Sequence, residues 1–161
     1  MAIVFRRWLH LTDDECVPVV QLLDKFCITA GITYEIVDND DFDLRGNVPA
    51  VTNIDSFRGE IIIKIKEEIY SGALYKELGG YRNHIMHEMC HVFLYKFGYT
   101  PISEKLFKNN EIPPARSAEW QAKALCGEIM MPYFATQGMS EEEIVKKYKV
   151  SRDSAKQRLK Y

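Results

Sequence analysis

Apolar positions recur along this chain at two different spacings, and the change from one to the other lays out its elements. Over residues 11–31, "LTDDECVPVVQLLDKFCITAG", they fall at helical intervals. Thr12 and Glu15 have capping-box spacing and Gly31 supplies a stop, so the pattern predicts a first helix here, with Pro18 in its second turn as a point where it bends. "ITYEIVD" then alternates with period two, as a half-buried strand does, and "NVPAVTNI" and the isoleucine-rich "GEIIIKIKEE" read as two more strands of a small sheet. Helical spacing returns in "YSGALYKEL", ended by Gly79 and Gly80, and again from Tyr81 to Phe97, closed by Gly98. Residues 99–114 read as a connecting loop, and Pro113 and Pro114 open a helix over "ARSAEWQAKALCGEIMM" that Pro132 ends. Ser140 with Glu143 makes a second capping box, flanked by Met139 and Ile144 as a hydrophobic staple, before the short helical stretches "EEEIVKKYKV" and "RDSAKQRLKY". The 161 residues fit one domain, 1–161, with 133–161 as a C-terminal helical closing segment.

Composition narrows the class. An apolar content of 47% with 27% charged residues is that of a globular chain able to bury a core, and it excludes disorder. Every apolar run is soon interrupted by charge or proline, so no membrane span is expected, and the N-terminal "MAIVFRRWLHLTDDE" lacks the uninterrupted apolar segment of a signal peptide. A cytoplasmic location follows as the expectation. Cys16, Cys27, Cys90 and Cys126 form no CxxC pair and sit in helical segments, which points to buried free thiols. The net charge is −2, yet Lys146, Lys147, Lys149, Arg152, Lys156, Arg158 and Lys160 crowd the last residues. They read either as a solvated face or as a surface over 144–160 for nucleic acid or an acidic partner.

The chemistry lies in "YRNHIMHEMCHVFLYKFG". His87, Glu88 and His91 form H-E-x-x-H, and at about 100° per residue the two histidines stand one turn apart and about 40° around the helix, within reach of one metal ion. Two neutral imidazoles suit Zn²⁺ and leave room for a third protein ligand and a water, while Glu88 on the neighbouring flank can accept a proton from that water. Glu119, 28 residues beyond His91 on the following helix, is the candidate third ligand if the two helices pair antiparallel; the alternative is a surface glutamate. His84 shares the histidine face a full turn earlier, where it acts either towards substrate or as a packing residue. Tyr81, Tyr95 and Tyr99 are candidate donors to a developing oxyanion, with packing as the alternative for each.

"HEMCH" followed by "EWQAKALCGEIMMP" resembles the ImmA/IrrE family of metallopeptidases, in which an HExxH helix is paired with a helix reading approximately E-x-x-A with a closing M-P. Arg82, five residues before His87, stands where that family often has arginine, and "IVKKYKVSRDSAKQRL" resembles its closing segment, so the likeness covers residues 60 to 160. The resemblance implies a zincin-like α+β fold, a small mainly antiparallel sheet packed against the HExxH helix with C-terminal helices. It also implies His87, His91 and Glu119 as zinc ligands and Glu88 as catalytic base. Cys90 departs from the family's glycine, and Leu125, Cys126 and Gly127 stand where phenylalanine and alanines are usual. Cys126 falls two turns after Glu119 on nearly the same face, so the two thiols read either as helix packing or as groups near the metal.

The function expected is therefore zinc-dependent peptide hydrolysis, with an extended substrate adding to an edge of the sheet at the "IIIKIK" strand, the alternative for that strand being a place in the core. The resemblance implies as partner a helix-turn-helix repressor of a mobile element, prophage or stress response. The rival expectation is a non-catalytic, zinc-stabilised regulatory module that binds a repressor or nucleic acid.

Overall fold

The computed structural model describes residues 1–41, 44, 46–55, 57–99, 113 and 117–160. The chain opens with a helix that the spacing did not predict, α1 (Ala2–Trp8), which buries Phe5 against Phe26 and Phe93 at ring-centroid distances of 6.0 and 5.4 Å. The guanidinium of Arg6, buried beside it, donates to the carbonyls of Ile129, Thr12 and Glu15. That engagement corrects the predicted first helix. Thr12 and Glu15 do close on each other, with the Thr12 N–H 2.6 Å from Oε2 of Glu15, but they form a turn, because two of its carbonyls already serve Arg6. The helix α2 (Val19–Ala30) starts only after Pro18, whose ring disfavours a helical Val17.

The three strands lie where the alternation placed them: β1 (Thr33–Val37), β2 (Ala50–Asp55) and β3 (Glu60–Lys66). Their spatial order is β1-β3-β2; the β1/β3 ladder is parallel and the longer β2/β3 ladder antiparallel. The "IIIKIK" strand is consequently central, with a neighbour on each side, and is no edge for a substrate. Ile61, Ile63 and Ile65 of β3 point into the core with at most 5% exposure. On the side of the HExxH helix the outer strand is β2, whose one strand neighbour among the described residues is β3.

From β3 the chain turns directly into α3 (Glu67–Tyr75), and then into the HExxH helix, α4 (Gly79–Lys96). Ile85, Met86, Met89, Cys90 and Val92 on α4 are wholly buried, which makes it the central helix of one continuous core running from Ala2 to Ala155. Gly79 begins α4 so close to the backbone of Val150 and Ser151 that a side chain there has no room. At the other end Gly98, with φ +85°, lets Tyr99 N–H reach the Leu94 carbonyl at 3.0 Å and its own N–H reach Tyr95 at 2.9 Å, the paired bonds of a Schellman stop.

The next helix, α5 (Ala118–Met130), begins later than Pro113 and Pro114 suggested, because Ser117 is extended and its Oγ accepts from the Trp120 N–H at 3.1 Å. Pro114 and most of the expected connecting loop lie outside the described residues. Pro132 ends α5 as expected but also starts a short helix, α6 (Tyr133–Thr136). The capping box at α7 (Glu141–Tyr148) forms in both directions, Ser140 N–H to Glu143 Oε2 at 2.7 Å and Glu143 N–H to Ser140 Oγ at 3.3 Å, ahead of α8 (Arg152–Arg158).

Arg82 fastens this C-terminal segment to α4. Its buried guanidinium donates to the carbonyls of Lys149 at 2.6 Å and Tyr148 at 3.3 Å, and also to Val17 ahead of α2. Much of the basic charge near the C-terminus is spent on the fold as well: Lys147 pairs with Asp14 at 2.6 Å, Lys149 with Glu77 at 2.6 Å and Arg158 with Glu128 at 2.8 Å. Among the described residues no helix is long and apolar enough to cross a membrane.

Candidate metal centre and active-site cleft

Helices α4 and α5 run antiparallel: Glu119 lies beside His87 and His91, whereas Cys126, about two turns further on, lies beside Asn83, with Sγ 3.7 Å from its carbonyl. This crossing brings the chemistry together. The two Nε2 atoms of His87 and His91 are 3.0 Å apart, Oε2 of Glu119 is 3.1 Å from Nε2 of His91, and Oε1 is 3.3 Å from Nε2 of His87.

Those distances test whether a metal fits. A tetrahedral ion with ligand bonds of about 2.0–2.1 Å holds neighbouring donor atoms about 3.3–3.4 Å apart. The three side chains therefore stand close to the edges of such a tetrahedron, and small outward shifts of the imidazoles complete it. All three donor atoms fall within 4.8 Å of one another, the only group of histidine, cysteine or carboxylate donors among the described residues that could hold a metal ion. Hydrogen bonds to His87 and His91 hold the Glu119 carboxyl well below its ordinary range, so it is an anion ready to ligate. Lys123, one turn along α5, meets the same carboxylate at 3.0 Å.

Glu88 stands on the adjacent flank of α4, 8% exposed. Thr52 on β2 donates its hydroxyl to Oε2 of Glu88 at 2.7 Å and lies 3.3 Å from the Glu88 main-chain carbonyl. Burial pushes this carboxyl up from its ordinary value, and the Thr52 hydrogen bond and the two histidines oppose the rise. A carboxylate so placed can take a proton from a water lying between it and the three donor atoms.

These groups line a cleft of about 1260 Å³ walled by β2 on one side and by α5 and α8 on the other. His84 is exposed on that wall and stays out of the ligand group. Of the three tyrosines considered, Tyr99 lines the cleft, while Tyr81 packs over Gly72 and Tyr95 against the core. Cys90 and Cys126 meet each other between α4 and α5, and burial pushes the Cys90 thiol well up; both thiols are free and neither belongs to the ligand group.

Sequence reasoning missed Thr52 and Lys123. The lysine had a signal, since Glu119 and Lys123 are spaced i,i+4 on one helix. Thr52 had none, because its partner is set by the packing of β2 on α4.

The pattern of the chain is also that of a known family: residues 74–160 match the IrrE N-terminal-like domain, a peptidase family. No curated protein and no solved structure is significantly similar to it.

Proposed function

The chain belongs to the IrrE N-terminal-like family of peptidases, and from that membership we propose that it is a cytoplasmic zinc metallopeptidase of the HExxH type, with His87, His91 and Glu119 as metal ligands and Glu88 as general base. The observation that carries the reading is the set of three donor atoms, the two Nε2 and Oε2 of Glu119, at 3.0–3.4 Å, with a buried carboxylate on the residue after His87. Zinc held there supplies Lewis acidity, which lowers the pKa of a water and polarises a peptide carbonyl. The four free thiols accord with a reducing compartment.

The chain's own residues do the rest. Glu88, oriented by Thr52, takes a proton from the attacking water as oxygen bonds to the carbonyl carbon, and returns a proton to the amide nitrogen as the C–N bond breaks. One water is consumed, and a carboxylate and an amine are released. As the outer strand of the sheet, β2 is where an extended substrate could add by main-chain pairing, with no demand on its sequence. From the family resemblance we take the substrate to be a helix-turn-helix repressor.

Glu88→Gln tests this reading against a non-catalytic, zinc-stabilised module. It keeps the shape and removes the base, so zinc content should match the wild type while cleavage of a co-expressed repressor falls by at least about a hundredfold. Cleavage that persists in the variant sinks the assignment of the base. Equal binding of a repressor by both proteins, with no cleavage by either, replaces the peptidase with the module.

A further inference from the structure

The C-terminal end of α4 and the N-terminal end of α5 both line the cleft, and Glu119 in the first turn of α5 lies beside His91, one turn before Leu94. The Schellman stop at Gly98 folds Tyr99 back to Leu94, the pair of positions at which that motif makes its hydrophobic contact. The Ser117 cap fixes the first turn of α5 and with it Trp120, the residue after Glu119. Leu94, Tyr99 and Trp120 all line the cleft. Leu94 is 4% exposed and makes a floor, whereas Tyr99 at 43% and Trp120 at 53% leave large aromatic faces open.

Resting on the peptidase reading above, we propose that Leu94, Tyr99 and Trp120 form a subsite for one bulky apolar side chain of the substrate, close to the bond that is cut. A single exposed aromatic residue needs no explanation, but here two line, together with a buried leucine, the cleft that also holds the ligand group. Leu94 lies three residues after His91, about 4.5 Å along the helix, and an extended peptide advances about 3.3 Å per residue. The side chain that enters this subsite is therefore one or two residues from the scissile bond.

The opposite end of the cleft is of another character. Asn83 donates to Ser154 at 2.5 Å, Arg158 is neutralised by Glu128 at 2.8 Å, and His84 and Gln157 complete a wall of hydrogen-bonding groups with balanced charge. Asn83 and Leu94 are separated by about 16 Å of helix, the reach of about five extended residues. The two ends give the cleft a direction: apolar side chain at one, polar uncharged side chains at the other.

The chain has two tryptophans, so Trp8→Phe combined with Glu88→Gln leaves Trp120 as the sole reporter in a protein that should not turn over its ligand. Capped hexapeptides of alanine carrying one leucine, and the same peptides with serine in its place, are titrated while emission is followed. The expected result is a blue shift with the leucine peptides and binding at least about tenfold weaker for the serine peptides. In parallel, an unstructured protein is digested by the wild type and by Trp120→Ala and the products are mapped by mass spectrometry; cuts should cluster within two residues of a bulky apolar side chain, and Trp120→Ala should lose the clustering at unchanged zinc content. Peptide binding without movement of Trp120 emission, or cuts without apolar preference, overturns the subsite. A leucine-selective blue shift together with no cleavage by the wild type supports the subsite and removes the peptidase reading instead.

Discussion

Thr52 and Glu88 join the edge strand to the HExxH helix twice, through the 2.7 Å bond to the carboxylate and the 3.3 Å approach to the main-chain carbonyl of the same residue. A buried carboxylate can turn about its side-chain torsions, and the hydroxyl selects one orientation. Thr52→Val preserves shape and removes the donor. Its turnover number should fall roughly tenfold with zinc content unchanged, since orienting partners of this kind are worth about that much. Thr52→Ser, which keeps the hydroxyl, should recover most of the loss; equal rates in all three proteins would show that the bond is idle.

The ligand set makes a prediction about composition. Purified protein should carry about one zinc per chain by elemental analysis, and His87→Ala, His91→Ala and Glu119→Ala should each reduce it. The double variant Cys90→Ala, Cys126→Ala should keep its zinc, because the thiols face each other across the helix pair. Loss of zinc from that variant, with retention in Glu119→Ala, would transfer the third ligand to a thiol.

Because the proposed ligands come from both α4 and α5, zinc held by them would link metal to tertiary structure. Zinc at a free concentration a hundred times its dissociation constant should stabilise the chain by about 2.7 kcal/mol, visible as a higher melting temperature than in excess chelator. Coincident melts with and without metal would contradict the site.

Arg82 holds three carbonyls, those of Tyr148 and Lys149 and that of Val17, with one planar group, a task an ammonium cannot repeat. Arg82→Lys should therefore cost about 2–4 kcal/mol in urea unfolding of the metal-free protein, through main-chain acceptors left without partners. A loss below about 0.5 kcal/mol, the level of an ordinary surface change, would show that water replaces the guanidinium.

The paired lysines and arginines near the C-terminus bear on nucleic acid. With Lys147, Lys149, Arg152 and Arg158 each beside a carboxylate, duplex DNA should not be retained on a filter even at about 50 mM salt, where phosphate contacts are strongest. Retention that falls steeply as salt rises would restore residues 144–160 as a binding surface.

What could be read from the sequence was local. His87, Glu88 and His91 are brought together by helical periodicity alone, and the three strands and the Ser140–Glu143 box follow from short-range patterns that packing had no reason to override. Glu119 was within reach because α5 needed only to be antiparallel to α4. The errors were non-local. Thr12 and Glu15 have the spacing of a helix start, but the decisive partner of that turn is Arg6, whose own helix carries too few periodic positions to be noticed. The order of strands depends on which pairs form across the sheet, so the alternation of β3 could not say whether it was an edge for substrate or the central strand that buries Ile61, Ile63 and Ile65 on one face.

The position of β2 as the outer strand among the described residues has a consequence for the protein in a crowded solution. An outer strand that can receive a substrate can also receive a strand from an unfolded neighbour or from another copy, the usual origin of edge-to-edge aggregation. The chain limits the hazard by geometry: β2 is six residues long, is preceded by Pro49, which offers no N–H, and faces into the cleft beneath α5. With α5 and α8 forming the opposite wall, a lone extended strand meets β2 more easily than a folded sheet does, so the shape that receives a substrate also disfavours growth of the protein along its own edge.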